Sequence, residues 1–188
     1  MKNEKRILFF GDSLTAGYGL LNPSLESFPA LLQEKINKEN LRYKVINGGL
    51  SGETTTGGRS RIDLFLNQQI DVFVLELGAN DLLRGIPAEQ TSNNLQSIVD
   101  KVKEKFPGVK LVLLGLELPP YIARNYAVNF RALFRRMAER NNMAFLPFLL
   151  DGVAGIPDLN LTDGFHPSFK GYQIIAEKVW QVLKKVIT

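Results

Sequence analysis

Ser13 is the first residue in the sequence with the makings of a reactive centre. It stands in Gly11-Asp12-Ser13-Leu14, directly after the apolar run Arg6–Phe10. An unassisted serine hydroxyl is a poor nucleophile; it needs a base within hydrogen-bonding reach and a group behind that base to orient it. The chain offers one histidine, His166. Any mechanism that needs a histidine must use it, and any metal site that needs two is excluded. Asp163 lies three residues earlier, across Gly164. A carboxylate at that distance can turn back to accept the Nδ1 proton and leave Nε2 free to take another. Plainer roles exist for each residue. Ser13 can cap the next helix or help cradle a phosphate, Asp163 can close an Asx-turn over Gly164, and His166 can be purely structural.

Two further stretches could serve the same centre. Asn80, in Leu77-Gly-Ala-Asn-Asp-Leu82, follows a third apolar run, and its amide can donate to an oxyanion or close a turn. Asp81 beside it reads as a cap for the following turn. Gly52, in Leu50-Ser-Gly-Glu53, follows the second apolar run; its N–H can approach a ligand with no side chain in the way, or it can be a loop glycine. Together these residues fill every role of acyl transfer: nucleophile, base, orienter and oxyanion donors.

Residues so far apart in sequence need a frame that gathers them. Short runs rich in Val, Ile, Leu and Phe are expected as strands at Arg6–Phe10, Tyr43–Ile46, Asp71–Leu77, Lys110–Leu116 and Ala144–Leu146. They are continuous rather than alternating, as in a parallel sheet covered on both faces. Helical spacing predicts helices over Ser27–Lys38, Thr55–Gln68, Pro87–Lys105, Ala127–Arg140 and Ser168–Val186, the last with Ser168 as N-cap. Alternating strands and helices specify an α/β fold with three layers, α/β/α, and right-handed crossovers. In such sheets the site lies beyond the carboxyl ends of the strands. The segments leaving those ends contain Ser13, Gly52 and Asn80, and His166 stands just before the last helix.

Composition narrows the alternatives. The 188 residues, without repeats or linker-like stretches, suit a single domain spanning 1–188. With no cysteine there is no disulfide, thiolate nucleophile or cysteine-held zinc. Net charge is +4, without a Lys/Arg run dense enough for nucleic acid; Arg131, Arg135 and Arg136, and Lys184 and Lys185, read as solvated helix faces. No window reaches the roughly 18 apolar residues of a membrane span. The run Ile7–Phe10 is too short for a signal peptide, so the chain as written reads as cytoplasmic, while a chain whose export signal had been removed, periplasmic or secreted, would look the same.

The blocks Gly11–Leu14, Gly52 in Leu-Ser-Gly, Gly78–Asp81 and Asp163–Pro167 resemble, in order and spacing, the four blocks of the GDSL or SGNH hydrolases. The resemblance implies a Ser13, His166, Asp163 triad, with the Ser13 and Gly52 N–H groups and the Asn80 side chain as oxyanion hole, and it implies no cofactor or metal. Within the family, the sequences around Gly11, Gly49 and Gly78 are most similar to the bacterial arylesterase, thioesterase and lysophospholipase group. That likeness implies a flavodoxin-like, five-stranded parallel sheet of order 2-1-3-4-5. It also implies small-molecule ester or lipid substrates: aryl esters, short to medium acyl esters, acyl thioesters or lysophospholipids. Leu82, Leu83, Ile86, Tyr121 and Ile122 leave strand ends beside the site and are expected either to line an apolar acyl cleft or to pack beneath loops. Arg84 can meet an anionic leaving group or be solvated. The competing reading is a flavodoxin-like phosphate or flavin module built on Gly11–Gly19. That stretch lacks the P-loop lysine and the dinucleotide glycine spacing, and the reading gives Asp163 and His166 no task.

Overall fold

The computed structural model describes residues 4–117 and 125–188, and side chains at 125–128 are left aside. Five parallel strands, β1 (Lys5–Gly11), β2 (Tyr43–Gly49), β3 (Val72–Glu76), β4 (Lys110–Leu114) and β5 (Ala144–Leu146), form one sheet of order β2-β1-β3-β4-β5. This is the expected flavodoxin-like arrangement.

The helices follow in chain order. The short α1 (Ser13–Ala16) and α2 (Pro23–Glu26) precede α3 (Phe28–Lys38); α4 (Thr55–Arg61) follows β2, and α5 (Ala79–Leu83) and α6 (Ala88–Lys105) follow β3. After β4 comes α7 (Asn125–Asn141), and α8 (Phe169–Ile187) ends the chain.

Strand alternation sorts the core into two layers. Ile7, Phe9, Val72, Val74, Val112 and Leu114 meet Phe28, Leu32 and Ile36 of α3 and Tyr172, Ile175, Val179 and Leu183 of α8. On the opposite face, Leu8, Phe10, Phe73, Leu75, Leu111 and Leu113 meet Leu95, Ile98, Val99 and Val102 of α6 and Phe130, Phe134 and Met137 of α7. Helical spacing on each element places these side chains on one stripe, and burying them supplies the main driving force of folding. Both sheet faces are covered, which is why the strands read as continuous apolar runs.

Two boundaries differ from the sequence reading in ways that matter. β2 continues through Asn47-Gly48-Gly49, paired with Phe9, Phe10 and Gly11 of β1. These glycines look like a turn in the sequence, but they are strand residues, and Gly49 lets α1 settle on the sheet. A Cβ on Gly49 would lie 2.2 Å from Ala16 N and 2.7 Å from both Ala16 Cα and Thr15 C, all backbone. Gly49→Ala is therefore expected to cost about 1–3 kcal/mol of stability. It should also lower kcat by displacing the turn that carries Ser13. Denaturant titration and ester turnover check this together, and wild-type values in both would contradict the close seating.

The second difference is the helix expected over Thr55–Gln68. It is α only to Arg61 and becomes a 3₁₀ turn over Ile62–Phe65. Gly57 and Gly58 are weak helix formers, and Gly58 is set by packing instead, since a Cβ there would meet Leu77 Cδ2 at 2.6 Å.

Candidate active site

The carboxyl ends of β1, β2 and β3 deliver Ser13, Gly52 and Asn80 to one edge of the sheet, and the loop before α8 brings His166 to the same place. β1 ends at Gly11, and Asp12 rather than Ser13 caps α1: its Oδ1 accepts from Leu14 N at 3.1 Å. Ser13 is thus the first residue of a four-residue helix. Its carbonyl accepts from Gly17 N and Tyr18 N at 3.1 and 3.0 Å. The hydroxyl takes no part in capping and is left for another partner.

That partner is His166, whose Nε2 lies 3.0 Å from Ser13 Oγ, while Nδ1 lies 2.6 Å from Asp163 Oδ2. An ionised carboxylate only accepts hydrogen bonds, so Nδ1 carries a proton, and in the neutral ring Nε2 is then left to accept from Ser13. Asp163 is held by its own loop. Gly164 takes φ +71°, and Asp163 Oδ1 accepts from Phe165 N at 2.9 Å and His166 N at 3.0 Å. Asp163 therefore makes the Asx-type turn and orients the ring at once, so its two possible roles coincide. The backbone N–H of His166, then its ring, then the N–H of Phe165 hold its carboxyl down at about 2, so it stays charged across ordinary pH. The base of the loop is fixed by Leu161 N donating to His166 O at 2.7 Å and Ser168 N to Leu159 O at 2.8 Å. Ser168 caps α8 as expected, its side chain accepting from Gly171 N.

Asn80 does not close a turn with its side chain. Its Nδ2 donates to Asp12 Oδ2 at 3.1 Å, which holds the amide beside Ser13. Gly52 occupies the third position of the turn Leu50–Glu53, closed by Glu53 N donating to Leu50 O at 3.2 Å, and its φ of +77° is the region glycine adopts freely. Asp81 is not a cap. It is fully buried and its carboxylate accepts from Thr55 N, Thr55 Oγ1 and Thr91 Oγ1, joining the loop of Gly52 to the helix of Asn80. Arg84 is not merely solvated, because its Nη2 donates to Gly52 O at 2.8 Å.

An apolar cavity of about 430 Å³ opens beside Ser13, Asn80 and His166. Leu82 and Leu83 line it. Ile86 does not: Gly85, at φ +69°, turns the chain after α5, and Ile86 N closes back on Asp81 O at 2.9 Å. Tyr121 and Ile122 lie outside the described residues. Sequence reasoning missed the rest of the wall, Leu116, Phe148, Leu150, Ala154 and Phe165. Leu116, Phe148, Leu150 and Ala154 follow β4 and β5 in segments without a motif, whereas Phe165 stands inside the Asp163–Pro167 block, where the sequence reading gave it no role. It also missed Tyr18, whose ring packs on His166 with centroids 4.5 Å apart.

Beneath Ser13 lie two buried carboxyls, Asp12 and Glu76. Burial raises both above the usual carboxylate range, and the charge on Asp12 raises Glu76 further. The Ser13 hydroxyl is engaged by His166, and the phosphate or flavin reading of Gly11–Gly19 is not favoured.

Comparison with known proteins agrees with this arrangement. Esterase TesA of Pseudomonas aeruginosa is 35% identical over 182 residues, covering 96% of this chain and 89% of that protein. An arylesterase of Vibrio mimicus matches with the same identity and coverage. Thioesterase 1/protease 1/lysophospholipase L1 of Escherichia coli is 32% identical, covering 96% of this chain and 84% of that protein. A crystal structure of TesA superposes with a TM-score of 0.89 at 35% identity, covering 97% of this chain and 99% of that one. Residues 9–174 match the GDSL-like Lipase/Acylhydrolase family, and with the sheet order and these relatives in agreement, the chain belongs to that family and is a serine esterase.

Proposed function

We propose that residues 1–188 act as one catalytic domain that hydrolyses small-molecule carboxylic esters through an acyl-enzyme on Ser13. The observation that carries this reading is the unbroken contact from Asp163 Oδ2 through the His166 ring to Ser13 Oγ. Ser13 Oγ attacks the ester carbonyl while His166 Nε2 takes its proton, and Asp163 stabilises the imidazolium that forms. The Ser13 and Gly52 N–H groups and the Asn80 amide hold the developing oxyanion; one such donor is worth about 10²–10³ in rate. His166 returns the proton to the departing alcohol. Water then attacks the acyl-enzyme with His166 again as base, and the acid leaves as Ser13 regains its proton.

The cavity beside Ser13 accepts the acyl or aryl group through apolar contact with Leu82, Leu83, Leu116, Phe148 and Phe165. The relatives named arylesterase, thioesterase and lysophospholipase bring aryl esters, acyl thioesters and lysophospholipids within its range. A panel of p-nitrophenyl acetate, butyrate, octanoate and palmitate, run beside an acyl-CoA and a lysophospholipid, tests the reading. Higher kcat/KM for the acetate to octanoate esters than for palmitate is expected. Inertness towards the whole panel, or a clear preference for palmitate, would contradict it.

A further inference from the structure

β3 ends on a residue that its surroundings do not invite. Val72, Phe73, Val74 and Leu75 are wholly buried apolar residues, and Glu76 follows them at 5% exposure. In the parallel register Glu76 stands opposite Gly11. Its Oε2 accepts from Thr15 Oγ1 at 2.8 Å and from Asp12 N at 3.3 Å. These donors bracket Ser13 in sequence. Gly11 is the residue that makes room for them. A Cβ there would lie 2.2 Å from Thr15 Oγ1, 2.4 Å from the Glu76 carbonyl oxygen and 2.5 Å from Oε2. Asp12, gripped through its N–H, sends its own carboxylate the other way, to Leu14 N and to Asn80 Nδ2. The buried Tyr172 hydroxyl reaches Ser13 O from below at 3.5 Å.

We propose that Glu76 is a positioning residue that fixes the Ser13 turn and, through Asp12, the Asn80 amide. It does not itself line the cavity, and it acts by holding Asp12 and Thr15. The inference rests on the reading of Ser13 as nucleophile. Charge decides the form in which it works. Burial raises both carboxyls, and the charge on Asp12 raises Glu76 further, which disfavours ionising the two together. His166 and Tyr172 are the other titratable groups that face the pair. What the turn requires of Glu76 is an acceptor at Oε2, not a negative charge. A carboxamide can supply that acceptor.

The test is kcat and KM for p-nitrophenyl acetate in Glu76→Ala, Glu76→Gln and Thr15→Val, with Ser13→Ala alongside. Misplacement of a reacting group by about 1 Å costs roughly 10²-fold. Glu76→Ala is expected to lower kcat by about 10–100-fold with KM nearly unchanged, and Glu76→Gln to restore it to within about threefold of wild type. Thr15→Val removes one donor while keeping the side chain's shape, so it reports even if Glu76→Ala does not fold; a fall in kcat of about tenfold is expected. The rate at which a p-nitrophenyl phosphonate modifies Ser13 should fall in parallel. Wild-type kcat per folded molecule in Glu76→Ala or in Thr15→Val would overturn the inference, as would a Glu76→Gln enzyme no better than Glu76→Ala. An active Ser13→Ala enzyme would instead overturn the reading of the site on which it rests.

Discussion

Ser13→Ala is expected to lower kcat for p-nitrophenyl acetate by about 10⁴–10⁶-fold while leaving the fold intact. The fold survives because Ser13 supports α1 through its carbonyl, and the helix is capped by Asp12. The side chain contributes one hydrogen bond, to His166. Alanine at the first helical position keeps the backbone and loses only the attacking oxygen. Residual rate over water would come from the oxyanion donors and from binding. Because nucleophile and base act as a unit, Ser13→Ala/His166→Ala should be no slower than Ser13→Ala within about threefold. Thermal melts by circular dichroism and initial rates check both statements. Near-wild-type turnover by Ser13→Ala would remove the acyl-enzyme from the mechanism.

Asp163→Asn carries the second large effect, and its cause is the tautomer of His166. In the native loop both carboxylate oxygens accept: Oδ1 from Phe165 N and His166 N, and Oδ2 from the ring Nδ1. An asparagine has one accepting oxygen. Two backbone N–H groups claim it, which turns the amide nitrogen, a donor, towards Nδ1. Nδ1 must then be the unprotonated nitrogen, and Nε2 carries the proton. A protonated Nε2 cannot take the proton of Ser13, so kcat should fall by about 10⁴-fold at neutral pH. The carboxylate is partly exposed and braces a surface loop, so stability should change little. Asp163→Ala frees the ring to adopt either tautomer and is expected to be less damaging than Asp163→Asn. Steady-state kinetics on the two variants decide this. A fully active Asp163→Asn would show that Asp163 does not set the tautomer.

How much of this was written in the sequence differs from residue to residue. Ser13, Asp163 and His166 could be picked out together because a chain with one histidine has one possible imidazole base; the sequence alone left Asp163 open to a plain Asx-turn, and the fold shows that it makes this turn while meeting the ring. The sheet was legible because strands covered on both faces must be apolar throughout. Gly48 and Gly49 were not legible as strand residues, since local preference marks Asn-Gly-Gly as a turn; pairing with β1, and at Gly49 the close approach of α1, override that preference. Glu76 was hidden for the opposite reason. It sits at the end of a buried strand, and its partners, Asp12 and Thr15, are set by the register against β1, which only the folded sheet fixes. The wall formed by Leu116, Phe148, Leu150 and Ala154 has no pattern of its own, because an apolar cleft needs size and placement rather than particular residue types.

The most direct measurement is the identity of the atom that becomes acylated. The enzyme is treated with a p-nitrophenyl phosphonate ester, and the product is followed by intact mass and peptide mapping. One adduct per chain, on the peptide and the residue of Ser13, is expected, with loss of esterase activity in step with its formation. No adduct should form on Ser13→Ala, and formation should be far slower on His166→Ala. An adduct on another residue that accounts for the lost activity, or full inactivation without modification of Ser13, would contradict the account.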